Sequence, residues 1–337
     1  MQPIFPTTYS TLSPQALADY VGKQYAFQDT SCQFIVRGVG DTYLVTTAAE
    51  QYILRIYRPS HRTLANIQAE VTLLQILQSA GVSVSYPVED KEGKAIQALS
   101  AAEGTRHAVL FTYAEGRSHN ILSGYQLQQL GKEMARFHTV SATIQLEHER
   151  WTFDTTTTLD QPLAAVRDYF KEDPATYEWL SQAIERVKKE LSGIGQESIV
   201  SGYCHFDFLP KNFHFDAVDQ ITLFDFDFFG RGWLIQDIMT FRQQLLLDKA
   251  MQRLTAEQME QAYSTFLKAY CEVRPLSEAE KAAIPWLGLG FWVFYMGFHL
   301  THDQFYPLTQ LHVLQSRIAV IKKLVEEEWQ KAGEVLP

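Results

Sequence analysis

The chain has 337 residues, of which 46% are apolar and 20% charged. That is the composition of an ordinary folded protein, long enough for two lobes or one large domain with a cleft. Lysine plus arginine number 29 against 39 aspartate plus glutamate, a formal charge of −10, which disfavours a broad nucleic-acid surface.

Cys32, Cys204 and Cys271 are few, odd in number and far apart, so neither a disulfide framework nor a zinc site is expected. The start, MQPIFPTTYSTLSPQ, has no charged and apolar leader pattern, and a cytoplasmic location is the expectation.

In chain order, QFIVRGVGDTYLV gives strand, glycine-containing turn and strand, and QYILRIYR gives a third strand. From Leu64 the period lengthens: Ile67, Val71, Leu74 and Leu77 recur at helical spacing up to Gly81. VSVSYPV and KAIQAL follow as short strands around the turn EDKEG, then HAVLFTYAEG as a strand running out into Gly116. This N-terminal part reads as mostly sheet with one helix.

After Gly116 the character changes. YQLQQLGKEMARFH places Leu127, Leu130, Met134 and Phe137 on one helix face, and helices are expected near 161–171 and 175–192 and again toward the end. The segment IPWLGLGFWVFYMGFHL is almost wholly apolar, yet it is shorter than the ~20 residues of a bilayer span and holds Pro285 and His299. A buried helix, with no membrane involvement, is the expectation. Its aromatic run, followed by His299, His302 and Asp303, reads as core packing, with an acceptor-pocket wall as the alternative.

Residues 203–232, YCHFDFLPKNFHFDAVDQITLFDFDFFGRG, carry two acidic clusters in an apolar setting, where an uncompensated carboxylate costs several kcal/mol. His205, Asp207 and Asn212 form H-x-D-x-x-x-x-N. This is the spacing of a phosphoryl-transfer loop in which the Asp takes the acceptor hydroxyl's proton and the Asn holds a metal ion. Thirteen residues past Asn212, the strand ITLF delivers Asp225, a carboxylate placed to reach Mg²⁺ on nucleotide phosphates. In an extended strand Asp227 points to the same side, as a second metal ligand or a supporting group.

The segment resembles the aminoglycoside phosphotransferase and choline kinase group of protein-kinase-like small-molecule kinases, including homoserine-kinase-like members. Pro210 fits their loop, FDFD their metal strand, and Gly232 with Asp237-Ile238 their distal element. The resemblance implies that Asp237 holds the catalytic loop from behind and that His205 is a buried prop.

More weakly, the resemblance runs upstream. Gly38 and Gly40 take the place of the nucleotide-covering turn, Arg55 that of the phosphate-binding cation, and Glu70 that of its helix partner. Phe111 and Tyr113 lie in the segment resembling the adenine-contacting hinge. Arg55 replaces the usual lysine, a fork in place of a point charge. Phe206 stands where small-molecule kinases usually have glycine and many protein kinases arginine. Only 12 positions separate Asp225 from Asp237, too few for a long regulated activation segment. Arg58 and Arg62 read as solvated charges, and Lys211 as a phosphoryl-neutralising cation or a solvent-facing one.

The expectation is an α+β, protein-kinase-like two-lobed fold. Residues 1–113 would form a small antiparallel-sheet nucleotide lobe and 114–337 a larger, mostly helical lobe, with a hinge near 113–117. The implied activity is ATP- and Mg-dependent transfer of the γ-phosphoryl group to a hydroxyl-bearing small molecule. Aminoglycosides, amino alcohols, homoserine and sugars are the open classes, with net charge leaning to an amine-bearing acceptor. A bacterial Ser/Thr protein kinase and a nucleotide-binding pseudokinase are the alternatives. Oligomeric state is not legible.

Overall fold

A computed structural model describes residues 5–148 and 150–335. In chain order the elements are α1 (Pro14–Tyr25), β1 (Ser31–Arg37), β2 (Asp41–Thr46), β3 (Gln51–Ile56), α2 (Leu64–Ser79), β4 (Ile96–Ala101), β5 (Gly104–Thr112), α3 (Gly124–Ser141), β6 (Trp151–Phe153), α4 (Gln161–Val166), α5 (Pro174–Gly193), β7 (Ser201–Cys204), β8 (Phe213–Phe215), β9 (Ile221–Leu223), β10 (Gly230–Trp233), α6 (Ile235–Ala250), α7 (Ala256–Val273), α8 (Glu278–Leu300) and α9 (Leu311–Val335).

Local chemistry sets the helix starts. Thr63 with Asn66, Ser123 with Gln126, Thr255 with Gln258 and Ser277 with Glu280 close reciprocal capping boxes on α2, α3, α7 and α8. Each box satisfies amide donors that a helix start otherwise leaves open.

Contacts divide the chain into two compact units. The first takes the residues up to Ser118 together with Gln145–Arg150 and Phe213–Asp227. Its frame is a five-stranded antiparallel sheet in the order β1-β2-β3-β5-β4.

A helix that the strand-dominated reading of this region did not include, α1, lays Leu17, Val21 and Tyr25 on Tyr43, Val45, Leu54, Ile56 and Leu110. Its start is written locally, by Ser13 as N-cap and Pro14 in the first turn. VSVSYPV, expected as a strand, makes only isolated bridges at Val84 and Pro87. The β8–β9 hairpin hangs on this unit through Val84–Leu223 and Arg117–Phe215 bridges. Gly116 is obligatory there: φ is +91° and a Cβ would sit 2.0 Å from the Phe215 carbonyl oxygen.

The second unit comprises His119–Ile144, Trp151–Asn212 and the residues from Phe228 on. It is mostly helical around a three-stranded sheet in the order β6-β10-β7. The expected helices near 161–171 and 175–192 appear as α4 with its flanking turns and as α5. Helix α8 is long and apolar enough to cross a membrane by length and composition, and 67% of its most apolar window is buried inside the protein.

Candidate active site

In the second unit, β7 ends at Cys204 and the chain turns through His205–Asn212, closing as a 3₁₀ turn at Pro210–Asn212. The Asp207 main-chain carbonyl accepts from the Leu209 amide (2.7 Å) and the Leu209 carbonyl from the Asn212 amide (2.8 Å). Asp207 is buried. Its Oδ2 accepts from Asn212 Nδ2 and from Lys211 Nζ, each at 2.8 Å. Among the described residues, none donates to Oδ1. Asn212 Nδ2 also donates to the Asp207 carbonyl at 2.7 Å, which commits the amide nitrogen and leaves its oxygen as a hard donor.

Asp237, in the first turn of α6, accepts from the His205 amide at 2.8 Å and the Phe206 amide at 2.7 Å. His138 Nε2 lies 3.0 Å from the same carboxylate and its Nδ1 lies 2.8 Å from Tyr270 Oη. Burial pushes the His138 pKa down, outweighing the hydrogen bond that its ring donates to Asp237. A neutral imidazole between a carboxylate and a phenol carries its proton on Nε2 and accepts at Nδ1. Asp237 therefore binds the loop backbone to α3 and α7.

Phe206 has φ +65°, a left-handed conformation that costs a non-glycine residue roughly 1–2 kcal/mol. The structure thus gives a reason for glycine at this position and shows what offsets its absence. The Phe206 ring is buried, stacked on Phe153 at 3.7 Å with Phe294 edge-on at 4.9 Å. His205 is likewise buried, its ring 5.4 Å from Phe208.

In the first unit, Arg55 on β3 pairs with Asp225 Oδ1 at 2.5 Å and lies 4.0 Å from Glu70 and 3.8 Å from Asp227. Burial alone lowers the guanidinium pKa, yet Asp225 and then Asp227 outweigh it and hold the group well above its usual value. Glu70, buried on α2, accepts from Tyr57 Oη at 3.0 Å and is paired with Arg150.

Asp227 is engaged on all sides. Arg62 Nε and Nη2 reach its two oxygens at 3.0 and 3.1 Å, and Arg150 Nη1 lies 3.4 Å away. Burial raises its pKa, but Arg62, Arg55 and Arg150 hold it well below the carboxylate range.

These placements change the geometry expected from the sequence. The FDFD run is not an extended strand: β9 stops at Leu223, Asp225 has φ +61°, and Phe226–Phe228 is a 3₁₀ turn. Strand alternation is therefore lost, and the two carboxylates meet instead at the Arg55 guanidinium, at 2.5 and 3.8 Å. Asp225 is 42% exposed with Arg55 as its ion-pair partner, whereas Asp227 is buried under arginines. Arg58 and Arg62 are buried as well, Arg58 with its guanidinium 3.7 Å from the Tyr9 ring centroid.

Gly38 and Gly40 form the β1–β2 turn, with the Gly38 amide on the Gly40 carbonyl at 2.8 Å. A Cβ on Gly40 would lie 2.9 Å from the Ile56 carbonyl oxygen, so close backbone packing requires that glycine. Phe111 is buried opposite Ile53, and Tyr113, just past β5, is half-buried.

Arg62, Arg150 and His138 were missed as site residues. His138, in the last turn of α3, sits in the RFH of a helix already legible; the two arginines carry no local pattern.

Among the described residues no cluster of three or more His, Cys, Asp or Glu could hold a metal. Asp225 and Asn212 each offer an oxygen donor, and Mg²⁺ asks the protein for only one or two carboxylates beside phosphates.

The model of the Phosphotransferase enzyme family matches residues 31–277. Uncharacterized protein sll1119 of Synechocystis is 31% identical over 330 residues, 97% of this chain and 89% of the relative. The homoserine kinase of Paramagnetospirillum magneticum is 27% identical over 296 residues, 84% of each chain. Among solved structures, amicoumacin kinase hAmiN in complex with AMP-PNP, Ca²⁺ and amicoumacin superposes with a TM-score of 0.72 at 22% identity, covering 93% of this chain and 94% of that one. The α+β fold is thus the protein-kinase-like fold of small-molecule kinases, and the chain belongs to the phosphotransferase enzyme family.

Proposed function

We propose that this protein transfers the γ-phosphoryl group of ATP, with Mg²⁺, to a hydroxyl of a small molecule. The observation that carries the reading is Asp207. One carboxylate oxygen is fixed by Asn212 and Lys211, the other is left open, and Asp237 braces the backbone of the same loop. A buried carboxylate held this way presents one oxygen to a hydroxyl proton in a set direction.

In this reading the open Asp207 oxygen takes the hydroxyl proton. Asn212 offers its amide oxygen and Asp225 its exposed carboxylate as the donors that would serve Mg²⁺, which would neutralise phosphate charge. Arg55, paired here with Asp225, would fork onto phosphate oxygens, with Glu70 orienting it. Asp227 supports this set through its arginines rather than ligating the ion.

The relatives whose names state an activity include homoserine and amicoumacin kinases, which supports a small-molecule acceptor. The test is a thermal-shift titration with ATP and Mg²⁺ on wild type and Asp225→Asn, followed by ADP release with pooled hydroxyl compounds. Mg-dependent stabilisation of wild type, lost in the variant together with turnover, is expected. Absence of any shift at millimolar nucleotide would overturn the reading.

A further inference from the structure

The second unit holds a guanidinium that no acid answers. Arg317, half-buried on α9, donates from Nη1 to His299 Nδ1 at 3.1 Å and makes no ion pair with any described residue. Three other interior arginines are matched: Arg242 with Glu328, Arg274 with Glu280 at 2.5 Å, Arg106 with Asp41 at 3.2 Å; buried Arg58 instead lies over the Tyr9 ring. At Arg317 burial lowers the pKa and no carboxylate pulls it back. Asp303, the acid nearest along the chain to His299, is exposed and makes no ion pair with any described residue.

His299 does not cancel that charge. Its Nδ1 accepts from Arg317, so its proton sits on Nε2, and burial with Arg317, His302 and Lys211 nearby pushes its pKa down to about 4. The Tyr295 ring lies 6.1 Å from that of Phe206, in the catalytic loop, and 6.2 Å from that of His299, which puts this positive corner beside the loop within one unit.

Half-buried rings border the corner. Phe305 lies 4.9 Å and Tyr295 6.2 Å from the His299 ring, and Phe298 lies 4.9 Å from Phe228. A partly desolvated cation beside partly uncovered rings fits a ligand with an anionic end and an apolar body.

We propose that the acceptor carries a carboxylate, that Arg317 receives it, and that the rings of Phe298, Phe305 and Tyr295 cover the acceptor's short carbon chain. The substrate class is small hydroxy acids, hydroxy amino acids included, and the inference rests on the phosphoryl transfer proposed above. The step balances: the acceptor O–H proton passes to Asp207, its oxygen bonds to the γ-phosphorus, and the bond to the β–γ bridging oxygen breaks to release ADP. A planar fork suits a carboxylate in two-point contact.

The experiment measures kcat/KM for a series of hydroxy acids, each paired with its own amide and with the amino alcohol of the same length. Wild type is expected to prefer acid over amide by about tenfold to a hundredfold. Arg317→Gln should erase that ratio mainly through KM, and Arg317→Lys should restore part of it. Because the readout is a ratio within one protein, partial misfolding of a variant does not mimic it.

A panel in which no acid outperforms its amide overturns the inference, as does a ratio unchanged in Arg317→Gln. Loss of nucleotide-dependent stabilisation in Arg317→Gln would assign the guanidinium to a phosphate and likewise overturn it. Failure of wild type to bind ATP and Mg²⁺ would instead defeat the phosphotransferase reading itself.

Discussion

Asp227 in the first unit and Asp237 in the second are buried carboxylates ten residues apart in the chain, and they are compensated in opposite ways. Asp227 is held by guanidinium groups from Arg62, Arg150 and Arg55, which come from three separate stretches of chain. Asp237 is held by two consecutive backbone amides and one neutral imidazole. Fixed dipoles bring orientation without net charge, and long cationic side chains bring charge with weaker orientation. The contrast suits the two tasks of the proposed function: one loop would aim a proton acceptor, and the other region would balance negative charge arriving with a nucleotide.

The largest effect is expected where aim matters most. Asp207→Asn keeps the shape and can keep hydrogen bonds to Lys211 and Asn212 but removes the proposed proton acceptor, and kcat should fall by about 10²–10⁴. Stopped or steady-state ADP release measures it. A loss under fivefold would mean that Asp207 does not take the proton.

Asp237→Ala tests the brace. It strands the His205 and Phe206 amides and His138 Nε2 in the interior, at a cost of about 3–5 kcal/mol. Urea unfolding gives the number. A loss below about 1 kcal/mol would show that water or a neighbour replaces the carboxylate and that the loop is not held as described.

Phe206→Gly weighs strain against packing at the same loop. Glycine relieves the φ of +65°, a gain of roughly 1–2 kcal/mol. It also gives up a buried ring, a loss of about 3–5 kcal/mol. The expected net is a destabilisation of about 2 kcal/mol. A variant more stable than wild type would mean that the ring stack on Phe153 contributes little.

How much of this the sequence disclosed depends on how local each determinant is. The loop His205–Asn212 is set by spacing over eight residues, and α2 and α3 by apolar period and caps, so both were legible. The arginine set was not, because Arg62 and Arg150 meet Asp227 across 165 and 77 positions. The turn at Asp225–Asp227 was misread for a physical reason: FDFD alternates as a strand does, and nothing in the pattern records a φ of +61°. VSVSYPV misled in the same way, since alternation without a neighbouring ladder makes no strand. Helix α1 carried its own cap and stripe but was overlooked beside the stronger strand signals that follow it.

The smallest effect, and the one most specific to the guanidinium side of the comparison, is the response of stability to acid. Folding holds the Asp227 pKa below its unfolded value, which is near 4, because Arg62, Arg55 and Arg150 outweigh the burial that would raise it. A depressed carboxylate contributes stability that is fully present above the unfolded pKa and is lost as pH falls toward the folded one. Wild type should therefore hold its stability from pH 7 to about 5 and lose this contribution only below the ordinary carboxylate range. Arg62→Gln removes the closest of the guanidiniums, leaves burial in place, and so moves the folded pKa upward. Arg62→Gln should therefore have a lower midpoint denaturant concentration than wild type near pH 7 and a smaller decline through the carboxylate range, because less pKa depression remains to be lost, with the gap between the two proteins narrowing as both become protonated. Parallel profiles from pH 7 to 3 would mean that Arg150 and Arg55 alone suffice to hold Asp227 ionised, and that the arginine set is redundant where the amide cradle of Asp237 is not.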